Sequence, residues 1–296
     1  MKILITGVTG FIGQNLTKCL LEHNNYNLYA VVRSESDILH VDKRITLFEY
    51  DSDIEKLITF FQDEKFDGVV HLASLFLATH CPSDINQLVH SNIHFGTELL
   101  EASKAANVKW FINTGTFWQN YHDEPYNPVN LYAATKEAFS MIAKYYTETS
   151  SLIFSTLKLC DTFGKDDTRN KVFNLWDKIS KTGDTLEMSQ GEQLIDISYI
   201  DDVVHAYEIL IKHLNSVNCQ EFQNKIFAVT SNERMSLQNL SKLFEEATSK
   251  KLNIVWGARD YREREVMIPW TQGEVVPDWR QRHTLRDAIK KTVGNN

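Results

Sequence analysis

Tyr132 and Lys136 stand four residues apart in the run Tyr132-Ala133-Ala134-Thr135-Lys136. On a helix, side chains at this spacing share one face. An ammonium beside a phenol favours the phenolate and lowers its pKa. Such a tyrosine can exchange a proton with an alcohol or carbonyl oxygen. Alone the pair is weak evidence, because both residue types are common on exposed helices. A second pattern gives it weight. Gly7-Val8-Thr9-Gly10-Phe11-Ile12-Gly13 spaces three glycines three apart, between a β-branched run and a run of helical periodicity. There Gly7 serves a tight turn out of a strand, Gly10 the close approach of a pyrophosphate, and Gly13 the packing of a helix on a sheet. Thr9, Phe11 and Ile12 complete a loop whose helix N-terminus offers free N–H groups. The plain alternative is a glycine-rich turn; the strand before it and the helix after it favour a dinucleotide.

Two further positions follow from the same logic. The cofactor's ribose should lie near the end of the second strand, where an acid would accept bonds from a 2′-hydroxyl. The chain has Arg33-Ser34 there. A guanidinium matches a 2′-phosphate by charge and by its fork, so NADP(H) is expected, with NAD(H) the alternative and a solvated surface arginine the bland reading. Thr114-Gly115-Thr116 ends the fifth strand, on the edge where parallel sheets bind ligands. Thr116 is placed to hold the reacting oxygen, and Thr114 competes for that role.

These residues need a frame, and the first half of the chain supplies one. Strand signals at 2–6, 28–32, 45–48, 68–72, 110–114 and 155–159 alternate with helical stretches at 11–23, 53–61, 82–106 and 133–149. Continuous rather than alternating apolarity means a parallel sheet covered on both faces. The expected fold is α/β, a Rossmann-type doubly wound sheet over residues 1–163, with a returning segment near 195–213. Residues 164–296 read as a smaller α/β substrate-binding lobe, because turn residues and charges become denser there.

Composition narrows the function classes. The 296 residues are 43% hydrophobic and 24% charged, with a net charge of −8, which fits a globular chain and argues against a broad nucleic-acid surface. Cys19, Cys81, Cys160 and Cys219 are scattered with no CxxC pair, so neither a disulfide framework nor a metal site is expected, and a reducing, cytoplasmic setting is. No apolar run approaches a membrane span. His71, His80, His90 and His94 lie close in sequence, but only His90 and His94 share a helix face, and a packed or solvated face is the simpler reading. No G-x-S-x-G elbow or Walker sequence is present.

Taken together, the N-terminal GxxGxxG, His71-Leu72-Ala73-Ser74, Thr116/Tyr132/Lys136 and 196–202 (DISYIDD) resemble the extended short-chain dehydrogenase/reductases of the epimerase/dehydratase family, over nearly the whole chain. Residues 113–118 (NTGTFW), Gly191-Glu192-Gln193 and 261–267 (YREREVM) look closest to the branch that reduces 4-keto-6-deoxy nucleotide sugars. The resemblance implies Tyr132 as proton donor, Lys136 as its activator and ribose anchor, and Thr116 as the substrate-oxygen partner. It implies Asp51 and Ser52 on the adenine side, and Leu72, Ala73 and Ser74 along the diphosphate and nicotinamide ribose. Thr114 joins the cofactor set, Asn92 is structural, and Phe117 and Arg262 face the substrate. Arg262 matches a phosphate-binding position better than Arg264. Departures matter too: Phe117-Trp118 stand where dehydrating members carry Asp-Glu. Ile195, Lys158, Asp161 and Lys165 replace the usual Arg, Arg, Asn and Pro.

The expectation is NADPH-dependent reduction of the C4 keto group of a 4-keto-6-deoxy nucleotide sugar. The rivals are a 4-epimerase using the same triad and a non-catalytic NADP(H)-binding sensor. A homodimer is expected through the helices at 82–106 and 133–149, with Val89, Ile93, Leu99, Leu100, Phe139, Ile142 and Ala143 as apolar material. Nucleic acid and membrane are not expected partners.

Overall fold

The computed structural model describes residues 1–23 and 25–293. The chain runs β1 (Lys2–Thr6), α1 (Phe11–Glu22), β2 (Asn27–Val32), β3 (Thr46–Glu49), α2 (Ile54–Glu64) and β4 (Gly68–His71). A 3₁₀ turn (Pro82–Asp84) leads into α3 (Ile85–Val89), a π-helical turn (His90–His94) and α4 (Phe95–Ala105). Then come β5 (Trp110–Thr116), α5 (Leu131–Thr149), β6 (Ile153–Leu159), β7 (Asp161–Phe163), α6 (Val172–Thr182), β8 (Leu186–Met188), β9 (Leu194–Ile195) and β10 (Ile197–Tyr199). The last elements are α7 (Ile200–Leu214), β11 (Ile226–Val229), β12 (Met235–Ser236), α8 (Leu237–Thr248), β13 (Ile254–Trp256) and α9 (Leu285–Val293).

Seven strands form one parallel sheet in the order β11-β6-β5-β4-β1-β2-β3. It is a doubly wound sheet whose order reverses between β1 and β4, the crevice where such folds bind ligands. Burial on both faces explains the unbroken apolarity: all four residues of β4 and all seven of β6 are buried. One face carries Leu16 and Leu20 of α1 with Val203, Tyr207 and Leu210 of α7. The other carries Leu57 and Phe61 of α2, Leu99 of α4 and Phe139 of α5. The first cluster continues without a break into Phe173, Trp176 and Phe244 of α6 and α8. The C-terminal elements thus share the apolar core of the main sheet. Apart from β11, which joins the main sheet, the strands described there form two-stranded pairings: β7 with β10, β9 with β12, and β8 with β13.

Two elements differ from the sequence pattern. The sheet's seventh strand is Ile226–Val229, beyond the returning segment that the pattern suggested. The single helix expected at 82–106 is broken by the π turn at His90–His94. Of the apolar residues expected to face a symmetry mate, Leu99, Leu100, Phe139 and Ala143 are buried beneath their helices, Ile93 and Ile142 are half-buried and only Val89 is exposed; Ile85, Met141 and Tyr145, which were not in that set, are exposed beside it on α3 and α5. Among the described residues no helix is long and apolar enough to cross a membrane.

Candidate active site

The glycine loop joins β1 to α1 at the sheet's reversal point. Gly7 has φ +74°, a conformation that penalises any Cβ, and a Cβ there would lie 2.8 Å from the Ala73 nitrogen. A Cβ on Gly13 would lie 2.1 Å from the Gly7 oxygen, so the loop and the helix touch backbone to backbone. Gly10 caps α1 with no side chain and no acid occupies the first turn. The first N–H groups of a twelve-residue helix therefore face the crevice with their dipole uncompensated. Such a cradle fits a pyrophosphate. Arg169, held by Asp167 at 2.7 Å, lays its guanidinium 4.5 Å from the Phe11 ring centroid and brings the segment after β7 over the start of α1.

Thr6, at the end of β1, hydrogen-bonds in two directions. Its Oγ1 accepts from the Ala73 N–H at 3.1 Å and meets His71 Nδ1 at 2.8 Å. Thr6 Oγ1 and His71 Nδ1 share one hydrogen, and the remaining ring nitrogen is Nε2. That nitrogen has no partner among the described residues and is surrounded by Phe95, Phe111 and Phe139, with ring centroids 5.5–5.9 Å away. Burial, with the nearby Lys136 charge, pushes His71 down to about 3. His71 is a neutral post under the loop 72–75.

That loop is fastened to α5 by two asparagines. Asn92 Oδ1 accepts from Ser74 Oγ and Leu75 N, while its Nδ2 donates to the Leu75 oxygen and to Thr135 Oγ1 at 3.0 Å each. Thr135 in turn donates to the Tyr132 carbonyl. Asn130 caps α5 and donates to the Leu77 and Ala78 oxygens. The structural role implied for Asn92 is thus concrete: it ties Leu72-Ala73-Ser74 to the turn that carries Tyr132.

Tyr132 and Lys136 lie on the first two turns of α5. Lys136 is buried, and burial pulls its ammonium down to about 8. Burial pushes the Tyr132 phenol up to about 12, opposed by a hydrogen bond with Ser74. Against the depression expected from Lys136, burial dominates and the phenol is raised. At neutral pH the phenol keeps its proton.

Beside them, Thr114 Oγ1 is paired with Tyr207 OH of α7 at 2.6 Å. Thr116 Oγ1 accepts from Trp118 N at 3.3 Å and, among the described residues, its own proton has no acceptor. Thr116 is therefore a hydroxyl with a proton to offer. Tyr207, which comes from a distant helix, was not found by sequence reasoning. Phe117 also departs from expectation. It turns inward against Trp270, with ring centroids 5.3 Å apart and 6% exposure. The 3₁₀ turn Phe117–Gln119 sends its neighbour Trp118 to the cleft instead. There Phe76 sits edge-on to Tyr132 at 5.0 Å and 5.5 Å from Trp118.

Cations ring this aromatic wall. Lys171 lies 4.8 Å from the Phe76 ring centroid and pairs with Asp161 at 2.8 Å. Arg262 is exposed and lies 5.7 Å from the Trp118 ring centroid. Arg264 instead covers Tyr121 and binds Asn127. On the opposite side, Arg33 is exposed and 3.4 Å from Glu35, and Ser34 Oγ donates to the same carboxylate. Asp51 lies on the exposed turn after β3, with Lys56 at 2.6 Å and Ser52 at φ +69°. Away from the cleft, Cys19, His23 and Glu208 bring ligand-type atoms within 4.8 Å of one another. The Glu208 carboxylate is already held by Lys212 at 2.7 Å and His23 at 3.3 Å, an ion-pair cluster complete in itself.

Residues 3–224 match the NAD dependent epimerase/dehydratase family. The chain is 28% identical to a CDP-abequose synthase of Salmonella muenchen, over 99% of this chain and 97% of that protein. It is 26% identical to a CDP-abequose synthase of Yersinia pseudotuberculosis, over 99% and 98%. Among solved structures, the UDP-glucose 4-epimerase of Thermotoga maritima with UDP-glucose superposes with a TM-score of 0.84 at 22% identity, covering 99% and 97% of the two chains. The UDP-glucuronic acid 4-epimerase of Bacillus cereus, in complex with UDP-glucuronic acid and NAD, gives 0.84 at 21% identity, covering 99% and 98%. These structures share the fold.

Proposed function

The chain belongs to the NAD dependent epimerase/dehydratase family, and on that premise we propose that it is an NADPH-dependent reductase of the C4 keto group of a 4-keto-6-deoxy nucleotide sugar, working in the cytoplasm as a homodimer. The observation that carries the reading is the wall beside Thr116. Phe76 lies between Tyr132 and Trp118 while Phe117 turns inward, so the positions after Thr116 offer no second acid or base. Full-length similarity to two CDP-abequose synthases supports the same branch.

In this reading residues 1–163, rejoined by α7 and β11, hold the cofactor, and 164–296 hold the nucleotide. Gly7, Thr9, Gly10, Phe11, Ile12 and Gly13 cradle the pyrophosphate. Arg33 and Ser34 take the 2′-phosphate, with Glu35 the competing feature that would suit a free 2′-hydroxyl. Asp51 and Ser52 flank the adenine, and Leu72, Ala73, Ser74 and Thr114 line the nicotinamide half. A reduced nicotinamide dinucleotide supplies a hydride when bound. Tyr132, protonated at neutral pH, gives its proton to the O4 oxygen as negative charge develops there. Thr116 donates a hydrogen bond to the same oxygen, and Lys136 anchors the ribose and favours the phenolate left behind. Trp118 and Arg262 border the sugar and its diphosphate.

The test is cofactor balance. A reductase consumes NADPH stoichiometrically with a 4-keto-6-deoxy nucleotide sugar. A 4-epimerase, the reading favoured by the UDP-sugar epimerases of the same fold, interconverts sugars without net consumption. A sensor binds NADP(H) and turns over nothing. Either of the last two results overturns the proposal.

A further inference from the structure

Beneath Thr116 lies a buried polar group that the proposed chemistry does not use. Gln119 is completely buried at the end of the 3₁₀ turn. Its Oε1 accepts from the Thr116 backbone N–H at 2.8 Å, and its Nε2 donates to Glu137 Oε2 at 2.6 Å. Both partners fix the amide's orientation, because an N–H needs the oxygen and a carboxylate needs the NH₂. Glu137 follows Lys136 on α5. The space for the amide is reserved by Gly115, where a Cβ would lie 2.8 Å from Gln119 Oε1 and 2.9 Å from Lys158 Cγ. Lys158, 4% exposed, runs alongside, with its Nζ on Asn120 and over the Trp270 ring. Burial lowers its pKa and the Glu137 charge opposes that shift. A half-buried carboxylate and a buried ammonium therefore flank one amide, which joins them to Thr116.

We infer that Gln119 and Glu137 are positioning residues, a strut that sets the distance from Thr116 on β5 to the Tyr132–Lys136 face of α5. The two elements meet the same substrate oxygen from different sides. Besides the strut, the sheet and the packing of Phe139, Ala143 and Tyr146 in one cluster with Phe111 relate them. A displacement of about 1 Å at such a site costs on the order of a hundredfold in rate. The inference rests on the reading that Thr116 holds the reacting oxygen.

The test is a swap. Gln119→Glu sets two carboxylates against each other, and Glu137→Met removes the acceptor from a half-buried helix position. Each single variant is expected to lower kcat by roughly 10–100-fold, with KM for the nucleotide sugar changed less than about threefold. The double variant Gln119→Glu/Glu137→Gln restores every donor–acceptor relation. The carboxylate moved to position 119 accepts from Thr116 N–H and from the new amide, and an anion stays near Lys158. It should return kcat to within about threefold of wild type. Denaturant unfolding of the wild type, Gln119→Glu, Glu137→Gln and the double variant should show a matching non-additive recovery, a readout needing no substrate. The kcat arm uses whichever reaction, reduction or epimerisation, the wild type catalyses, so a failure of the reductase reading is seen in the wild type alone. Single variants with unchanged kcat, or a swap no better than Gln119→Glu, would overturn the inference. So would a Thr116→Val protein with wild-type kcat, which removes the group being positioned.

Discussion

Lys136→Met should make the cofactor-free protein more stable at neutral pH while destroying its activity. The lysine is buried, 2% exposed, and burial alone pulls it from an ordinary 10.5 to about 8. The folded state thus disfavours the ammonium. A drop of about 2.5 pH units is worth roughly 3.4 kcal/mol at ~1.36 kcal/mol per unit. The sign follows from proton counts. Below pH 8 the lysine is charged folded and unfolded, and the full cost of burying the charge is present. Between pH 8 and 10.5 the unfolded chain binds more protons, so wild-type stability rises with pH. Above 10.5 the lysine is neutral in both states and the cost is gone. A methionine of similar length carries no such cost. Its advantage should be roughly 3 kcal/mol at pH 7, about 2 kcal/mol at pH 9, and close to nothing near pH 11. Urea unfolding of both proteins at several pH values measures it, with NADPH binding and turnover in parallel. A variant less stable than wild type at pH 7, by a margin that does not change with pH, would refute the reasoning.

Tyr132→Phe keeps the ring against Phe76 and removes the hydroxyl, so kcat should fall by about 10²–10⁴-fold with NADPH affinity nearly unchanged; near-wild-type turnover on a verified 4-keto substrate would contradict it. Arg33→Asp should reduce the preference for NADPH over NADH by on the order of tenfold to a hundredfold, since charge-assisted bonds are worth about 1.5–3 kcal/mol. Equal use of both cofactors by the wild type would mean that the Glu35 pairing is all that Arg33 does. Ile85, Val89, Met141 and Tyr145, each 41–59% exposed on α3 and α5, should form a twofold interface. Light scattering at micromolar concentration should report a dimer, Met141→Glu/Tyr145→Glu a monomer, and a monomeric wild type would end that reading.

What the sequence made legible was local. The residues of β1, the glycine loop and the Tyr132/Lys136 spacing each sit inside one element or one turn, where periodicity and glycine geometry speak directly. What it hid was contact across the chain. Tyr207 reaches Thr114 across 93 positions, and no local pattern announces such a pair. Phe117 was expected to face the substrate, but the 3₁₀ turn buries it against Trp270 and leaves Trp118 beside Phe76. β11 is four residues long and follows a helix and a turn, too short a run to distinguish from the small lobe's other strands. The charge effect expected on Tyr132 failed for a similar reason: spacing reveals proximity along a helix, whereas desolvation depends on everything packed around it.

The π-helical turn at His90–His94 has a consequence for chain length. A π turn accommodates one extra residue in a helix, and each residue of an α-helix rotates the face by about 100°. The two sides of the turn are therefore out of phase, which explains why Ile85 and Val89 look outward while Leu99 and Leu100 look inward. A one-residue deletion within 90–94 would give a continuous, better-bonded helix. It would also swing the Asn92 amide away from Ser74, Leu75 and Thr135. The irregular backbone is what aims that one side chain at the loop, so natural variants that lose the extra residue must fasten the 72–75 loop by some other group.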